Sequence, residues 1–184
     1  MGAYYYLAAQ LPYLIYGQEV PMSSGAFREL ARNAMDPGEA KVLDLCTIEP
    51  DAGDKTSSDF INNWHQWEEA LRLNLARSRS QNLKRENTEQ RIQDTPEYPS
   101  DAAAAAKAVL SMDSPLEAEI FLDRARWSAI ENLSGINYFS ENTIYAYLLK
   151  LLLMERRQAF NTEEGFTEYK TLYASILENA GEPI

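Results

Sequence analysis

One histidine, His65, and one cysteine, Cys46, are the side chains of this 184-residue chain best suited to nucleophilic or general-base chemistry near neutral pH. A single copy of each excludes an intramolecular disulfide, a cysteine zinc cluster and a multi-histidine metal site within one chain. His65 lies between Trp64 and Trp67, and we expect it at the boundary of a buried helix face. Cys46 ends the run Val-Leu-Asp-Leu-Cys and is expected to be a small buried hydrophobe. We therefore predict no catalytic residue.

Paired carboxylates are the second candidate chemistry, because two acids can share a metal or act as acid and base. They occur at Glu68-Glu69, at Glu117 with Glu119, and at Glu163-Glu164. A dinuclear metal site in a helical bundle also needs Glu-x-x-His pairs from two helices, which one histidine cannot supply. Glu163 and Glu164 follow a predicted helix start, where acids favour the helix dipole. We predict no metal site and no cofactor.

A basic segment interrupts an otherwise acidic chain. The formal net charge at pH 7 is -11, whereas residues 72–91 sum to +4. The cations of this segment alternate with leucines rather than aromatic residues, and the overall negative charge opposes phosphate binding, so nucleic acid is not an expected partner. One interpretation is a solvated helix face that pairs with the protein's own acids. The other is a surface for an acidic protein partner, formed by Arg72, Arg77, Arg79 and Arg85.

Motifs of several other function classes are missing from the sequence. It contains no G-x-x-x-x-G-K-[ST] loop and no G-x-G-x-x-G turn to bind phosphates. The first residues lack the basic start and cleavage site of a signal peptide, and no apolar run approaches the roughly 18 residues of a membrane span. We therefore expect a soluble, cytoplasmic protein.

The elements that position these residues are predicted to be helices, because capping residues recur before apolar residues at three- and four-residue steps. Candidate starts are Ser23 or Ser24, Asp36-Pro37, Thr56 or Ser57, Asp101, Ser114-Pro115-Leu116-Glu117, Ser140, and Asn161 or Thr162. The start at Ser114 is the most specific, since a capping box coincides with proline at the first helical position. The opening segment, Tyr4–Pro12, fits a short helix or an extended piece equally well.

Three apolar patterns describe the main helices. The first forms one stripe from Phe60 to Leu75 and continues toward Leu83 as a polar extension. The helix after Ser114 is predicted to bury one face: Leu116, Ile120, Trp127, Ile130 and Leu133. From Ile144 to Met154 only Lys150 is not apolar, which predicts a helix buried nearly all round.

No stretch alternates apolar and polar residues as a strand does. The sequence therefore predicts an all-α fold, a compact multi-helix bundle of roughly six to eight helices. We expect one helical domain over residues 1–184. Two small lobes, residues 1–91 and 102–184, joined by a proline-containing linker over residues 92–101, are the alternative.

A resemblance to a known family rests on stretches spread over most of the chain. They are Tyr4–Pro12 (YYYLAAQLP), Phe60–Arg79 with Trp64-His65-Gln66-Trp67-Glu68 and Ala70-Leu71-Arg72, Arg126-Trp127, Tyr138-Phe139, Tyr145–Lys150 through Glu155-Arg156-Arg157, and Phe160–Gly165. Together they resemble a bacterial family encoded beside V-type (A-type-like) ATP synthase subunits. That family stands where such operons otherwise encode the C/d-type subunit of the complex.

The resemblance implies a non-catalytic subunit or assembly factor of a V-type ATP synthase. C/d-type subunits are all-helical, bind no nucleotide, and couple the central stalk to the membrane rotor ring. The implied partners are therefore central-stalk and rotor-ring subunits. This chain is much shorter than the usual three-lobed C/d-type subunit, so a socket of one or two lobes is expected. We expect contacts from the basic segment and from the exposed edges of the tyrosine-rich ends.

Two other function classes stay open at this point. A free-standing helical protein-interaction adaptor would have the same core but would not co-purify with rotor or stator subunits. An enzyme with a carboxylate-based or partner-completed site would have an acid of strongly perturbed pKa in a deep pocket.

Overall fold

The computed structural model describes residues 4–51, 53, 55–82, 99–160 and 171–172 of the chain. Within these residues the elements form an all-α fold with no strand, as predicted. The α-helices are α1 (Tyr5–Gln10), α2 (Ser24–Ala34), α3 (Pro37–Ala40), α4 (Asp59–Asn82), α5 (Ser100–Ala108), α6 (Pro115–Ser134) and α7 (Glu141–Gln158). Two 3-10 helices, Lys41–Leu45 and Val109–Ser111, extend α3 and α5.

Serine caps fix two of the helix starts where the sequence predicts them. The Ser23 hydroxyl accepts a hydrogen bond from the Ala26 amide at 3.2 Å, and α2 follows. The Ser114 hydroxyl accepts one from the Glu117 amide at 3.3 Å, and α6 begins at Pro115. Each bond satisfies one of the backbone amides that a helix start leaves without a partner.

Two predicted starts are displaced by one or two residues. Helix α4 begins at Asp59, where the Ser58 hydroxyl accepts from the Ile61 amide at 3.4 Å. Thr56 instead closes a turn, in which its hydroxyl accepts from the Ser58 amide at 2.9 Å. Helix α5 begins before Asp101, at Ser100, because the Asp101 carboxylate accepts a hydrogen bond from the Trp67 indole at 2.9 Å instead of capping the helix. The end of the predicted linker, residues 100–101, is therefore helical.

One hydrophobic core draws on both halves of the described chain. Helix α4 packs against α5 and α6, and α7 packs against α6 and α2. The rings of Trp64 and Trp67 stack with their centroids 5.8 Å apart in the middle of α4. Helix α7 buries most of its residues from Ile144 to Met154, which confirms the expectation of burial nearly all round.

The buried face of α6 differs from the predicted one. Its buried side chains are Leu122, Asp123, Arg126, Ala129 and Ile130. Of the predicted residues, Ile130 is buried, Trp127 and Leu133 are partly buried against the core, and Leu116 is exposed. A count of apolar residues misses Asp123 and Arg126, which turn toward the core and form an ion pair there.

Some predictions fall outside the described residues. The helix expected after Asn161 or Thr162 is described only at residues 171–172, which are helical. Arg85 and most of the predicted linker lie in the stretch 83–98 and are likewise outside the description. Among the helices that are described, none combines the length and the apolar character needed to cross a bilayer.

Candidate functional site

A cluster of buried charges lies between α4 and α6. Glu68 and Asp123 are 0% exposed and Arg126 is 5% exposed. The Arg126 guanidinium holds Glu68 with two hydrogen bonds, from Nε to Oε2 at 3.0 Å and from Nη2 to Oε1 at 2.9 Å. Its remaining nitrogen, Nη1, donates to Asp123 Oδ1 at 2.9 Å. This forked geometry is the strongest form of an arginine–carboxylate contact.

The cluster extends in both directions toward the surface. Arg156 of α7 places Nη1 3.5 Å from Asp123 Oδ1 and donates from Nη2 to Glu119 Oε2 at 2.9 Å. At the other end, Arg72 Nε lies 3.8 Å from Glu68 Oε1. The result is a sequence of alternating charges across α4, α6 and α7, here called the charge chain: Arg72, Glu68, Arg126, Asp123, Arg156 and Glu119.

Burial and pairing act in opposite directions on these groups. Burial raises the pKa of Glu68 and of Asp123, and the neighbouring guanidinium groups offset part of that rise. Burial lowers the pKa of Arg126, but its hydrogen bonds and ion pairs with the two acids outweigh this and leave the pKa raised. A buried charge is costly unless it is paired, and here each buried charge has a partner of opposite sign, with ion pairs that join α4 to α6 and α6 to α7.

The charge chain does not provide a reactive group. Glu68 and Asp123 have no exposed surface that a substrate could reach. Two buried atoms of the charge chain, Asp123 Oδ2 and Arg156 Nη1, make no hydrogen bond within the described residues. They belong to the Asp123–Arg156 ion pair, and a single water would be enough to satisfy both. The charge chain therefore has a structural role in helix packing rather than the properties of a catalytic site.

His65 and Cys46 are both buried, close to each other in the fold but without a shared reactive geometry. His65 lies 3.1 Å through Nε2 from the Leu45 carbonyl oxygen, so it is buried rather than at the predicted boundary. Cys46 is fully buried, as predicted, and burial raises the pKa of its thiol to about 12. A thiol with this pKa is almost entirely protonated at neutral pH and a poor nucleophile.

An open groove of about 460 Å³ lies at the end of the charge chain that contains Arg156. It is lined by Arg28, Asp44, Cys46, Thr47, Ile48, Glu49, Leu152 and Arg156. The guanidinium of Arg28 donates to the carbonyl oxygens of Leu43 and Cys46, and Arg156 is committed to Glu119. Its cations and acids are equal in number and largely engaged with the protein itself, so the groove shows no preference for a charged ligand.

The arginines predicted to bind a partner do not form one face. Arg72 and Arg79 are exposed and lie within about 20° of each other around α4, whereas Arg77 lies about 140° from Arg72 and is half-buried. Arg72 also donates to the Pro50 carbonyl oxygen at 2.6 Å, which commits it to the fold. The structure therefore brings together two of the four residues, and Arg85 lies outside the described part.

Exposed aromatic residues gather where α1 meets the connection between α6 and α7. The Tyr4 amide donates to the Phe139 carbonyl oxygen at 2.8 Å, and the rings of Tyr5 and Phe139 lie 4.5 Å apart. Five large apolar or aromatic side chains on these two segments are between 40% and 93% exposed, whereas Leu7 of α1 is buried. We call this surface the aromatic edge and define it as Tyr5, Tyr6, Ile136, Tyr138 and Phe139.

The aromatic edge rests on buried tyrosines. The Tyr4 hydroxyl donates to the Glu39 carboxylate and accepts from the Asp36 amide at 3.3 Å. Burial, together with the bond to Glu39, raises the pKa of Tyr4 to about 12. Tyr145 donates to the Glu39 carbonyl oxygen and Tyr147 to the Pro12 carbonyl oxygen, both at 2.9 Å. The exposed rings are therefore presented by an anchored segment.

Comparison of the chain with protein-family models, with curated proteins and with solved structures found no match.

Proposed function

We propose that this protein is a non-catalytic subunit or assembly factor of a V-type ATP synthase, with a role similar to that of the C/d-type subunit. In this role it would sit between the central stalk and the membrane rotor ring. The observation that carries the proposal is the aromatic edge, a cluster of exposed aromatic side chains on a rigid helical body. The resemblance supplies the identity of the complex.

The aromatic edge has the composition of a protein–protein interface. Tyrosine and phenylalanine are enriched at interface centres, where their large rings bury area with little loss of side-chain freedom. Here three tyrosines, one phenylalanine and one isoleucine lie on two adjoining segments. Leaving such side chains in water is unfavourable, so a partner that covers them supplies a favourable free energy of binding.

The charge chain supports the mechanical part of the proposal. A load-bearing component that transmits torque must keep its helices in fixed positions. Directional ion pairs between α4, α6 and α7 oppose sliding of one helix past another, which apolar packing alone opposes less strongly. The body that carries the aromatic edge is therefore suited to a load-bearing position.

Two of the stretches that carry the family resemblance meet at the aromatic edge. They are Tyr4–Pro12 and Tyr138-Phe139, joined by the backbone bond between Tyr4 and Phe139. The rings of Tyr6 and Tyr138 in these stretches are 88% and 73% exposed, so they are available to a partner.

The enzyme alternative has less support from the geometry. It requires a perturbed acid in a deep pocket, but Glu68 and Asp123 are buried against Arg126 and do not line the groove. No particular observation favours a free-standing adaptor, which is kept as an outcome of the experiment. We place the protein in the cytoplasm, at the inner membrane only through its partners.

The experiment is an affinity pull-down of the tagged full chain from gently solubilised membranes of its own host, with partners identified by mass spectrometry. The test variant is Tyr6→Ser with Tyr138→Ser, which removes two exposed rings of the aromatic edge. The matched control is Tyr13→Ser, because Tyr13 is 87% exposed but not part of that edge.

We expect central-stalk or rotor-ring proteins to be recovered with the natural chain and with the control, and to be lost with the double variant. Recovery of unrelated soluble proteins instead would support the adaptor. Equal recovery by the double variant would contradict the role of the aromatic edge.

A further inference from the structure

Three carboxylates border the aromatic edge. The Glu39 carboxylate accepts the hydrogen bond of the Tyr4 hydroxyl group, and Asp36 contacts the same hydroxyl through its backbone amide. The charges of the Glu39 and Asp36 carboxylates also help to raise the pKa of Tyr4, after burial and the bond to Glu39, so both acids lie near this residue. Glu141 opens α7 two residues after Phe139. Burial and then the negative charges of groups that include Glu39 and Glu141 raise the pKa of Tyr145, which places both acids near this base of the edge. Lys41 follows α3, so the border keeps an excess of negative charge.

The rings of the edge can also attract cations. Lysine and arginine bind over the face of an aromatic ring, while their aliphatic stems cover apolar surface. The protein uses this contact elsewhere: Lys150 Nζ lies 4.8 Å from the ring centre of Trp127, and the Arg124 guanidinium 5.9 Å from that of Tyr16. At the aromatic edge, the exposed tyrosine rings offer the same kind of face to cations of a partner.

We propose that the aromatic edge binds a basic amphipathic segment of a partner protein. Apolar side chains of that segment would cover the exposed rings, and its lysine or arginine residues would face Asp36, Glu39 and Glu141. The identity of the complex in this inference rests on the proposed function. The chemistry of the contact does not depend on it. It concerns a different surface from the basic segment of α4, for which the sequence predicts an acidic partner.

Charge decides among the classes of partner. The chain carries a net charge of -11, and the border of the edge is itself acidic. Anionic membranes and nucleic acids would be repelled by both. A basic protein segment is attracted by both and can also bury its apolar side chains on the rings.

The test uses the isotope-labelled full chain and two synthetic amphipathic helical peptides of equal length. Both peptides carry the same apolar stripe, but the polar face of one bears lysine and arginine and that of the other bears glutamate. Binding is measured by calorimetry and mapped by amide chemical shifts, at low and at high salt. Vesicles containing anionic lipid provide the membrane comparison.

The test variant is Asp36→Asn with Glu141→Gln, and the matched control is Glu29→Gln with Asp113→Asn, two exposed acids elsewhere. Glu39 is left in place because it accepts the Tyr4 hydroxyl hydrogen bond. We expect the basic peptide to shift the amides of the aromatic edge. The test variant should weaken this binding by roughly five- to tenfold at low salt, and the control should leave it unchanged.

Preferential binding of the acidic peptide, equal binding of both peptides, binding of anionic vesicles at the edge, or no shift with either peptide would each overturn the inference. The pull-down separates this outcome from the proposed function. Binding of the basic peptide without recovery of ATP synthase components would uphold the basic partner and reject the complex. Recovery of ATP synthase components without binding of the basic peptide would uphold the complex and reject the basic partner.

Discussion

The charge chain and the aromatic edge invert the usual distribution of side chains in a folded protein. In the charge chain, ionised groups such as Glu68 and Arg126 lie inside. At the aromatic edge, apolar groups such as Tyr6 and Ile136 lie outside. Each inversion is unfavourable unless something compensates for it. Inside, the compensation is present in the chain itself, as ion pairs. Outside, the described residues provide no such cover, and the proposed partner would supply it. The comparison therefore sets a region whose interactions are complete against a region proposed to bind.

The largest expected effect tests the inner region. Arg126→Ala leaves Glu68 and Asp123 buried without the guanidinium that neutralises them. We expect the free energy of unfolding, measured by urea denaturation, to fall by about 3–5 kcal/mol. This is a large share of the roughly 5–15 kcal/mol that stabilises a typical domain.

The control for that variant is Arg124→Ala, which removes an exposed guanidinium from the same helix and should cost less than about 1 kcal/mol. Replacing Glu68 and Arg126 together by Leu and Met should restore part of the lost stability, because Glu68 no longer remains as an unpaired buried charge, while Asp123 keeps Arg156 as its partner. A small effect of Arg126→Ala would show that the charge chain does not hold the helices in place.

The all-α fold and the long helices follow from periodicity and capping, which are local properties of the sequence. The charge chain does not, because its partners lie on three helices and only packing brings them together. One local signal exists: Glu68 lies four residues after Trp64 and three before Leu71, on the apolar stripe itself. A charge in that position indicates a buried ion pair, although the sequence does not identify Arg126 as its partner.

The surface is harder to predict than the core. The tyrosine-rich ends are predicted contact sites, but the meeting of Tyr5 with Phe139 depends on the path of the whole chain. The placement of the arginines on different faces of the helix, in contrast, can be predicted from the sequence. Arg72 and Arg77 are five residues apart, which places them about 140° apart on any α-helix. Composition and net charge, on which the predicted arginine surface depends, carry no information about this spacing.

A second prediction extends the comparison inside the protein, from the buried acids that are paired with guanidinium groups to the thiol of Cys46, whose pKa is governed mainly by burial. Burial raises the pKa of Cys46 from its ordinary value of 9.0 to about 12. Between these values the unfolded chain has released the thiol proton and the native chain retains it. The free energy of unfolding should therefore fall as pH rises above 9.

Urea denaturation at pH 8 and pH 10 measures that slope, and Cys46→Ala should make it shallower. The remaining slope comes from tyrosines whose pKa burial also raises, among them Tyr4 and Tyr145. Alkylation of the thiol at pH 8 gives a second readout: it should be slow in the native protein and fast in urea. Rapid alkylation of the native protein would show that Cys46 is reached by solvent. It would also show that solvent reaches the protein interior near the charge chain despite its ion pairs.

The smallest expected effect tests the outer region. Tyr6→Ser with Tyr138→Ser should change the free energy of unfolding by no more than about 0.5 kcal/mol, because both rings are mostly exposed. Urea denaturation of this variant beside Arg126→Ala compares the two regions directly. A loss of partner binding without a loss of folding stability is expected only if the exposed rings serve to contact a partner. A large loss of stability would instead mean that the aromatic edge holds α1 against the body, and that its exposure serves the fold.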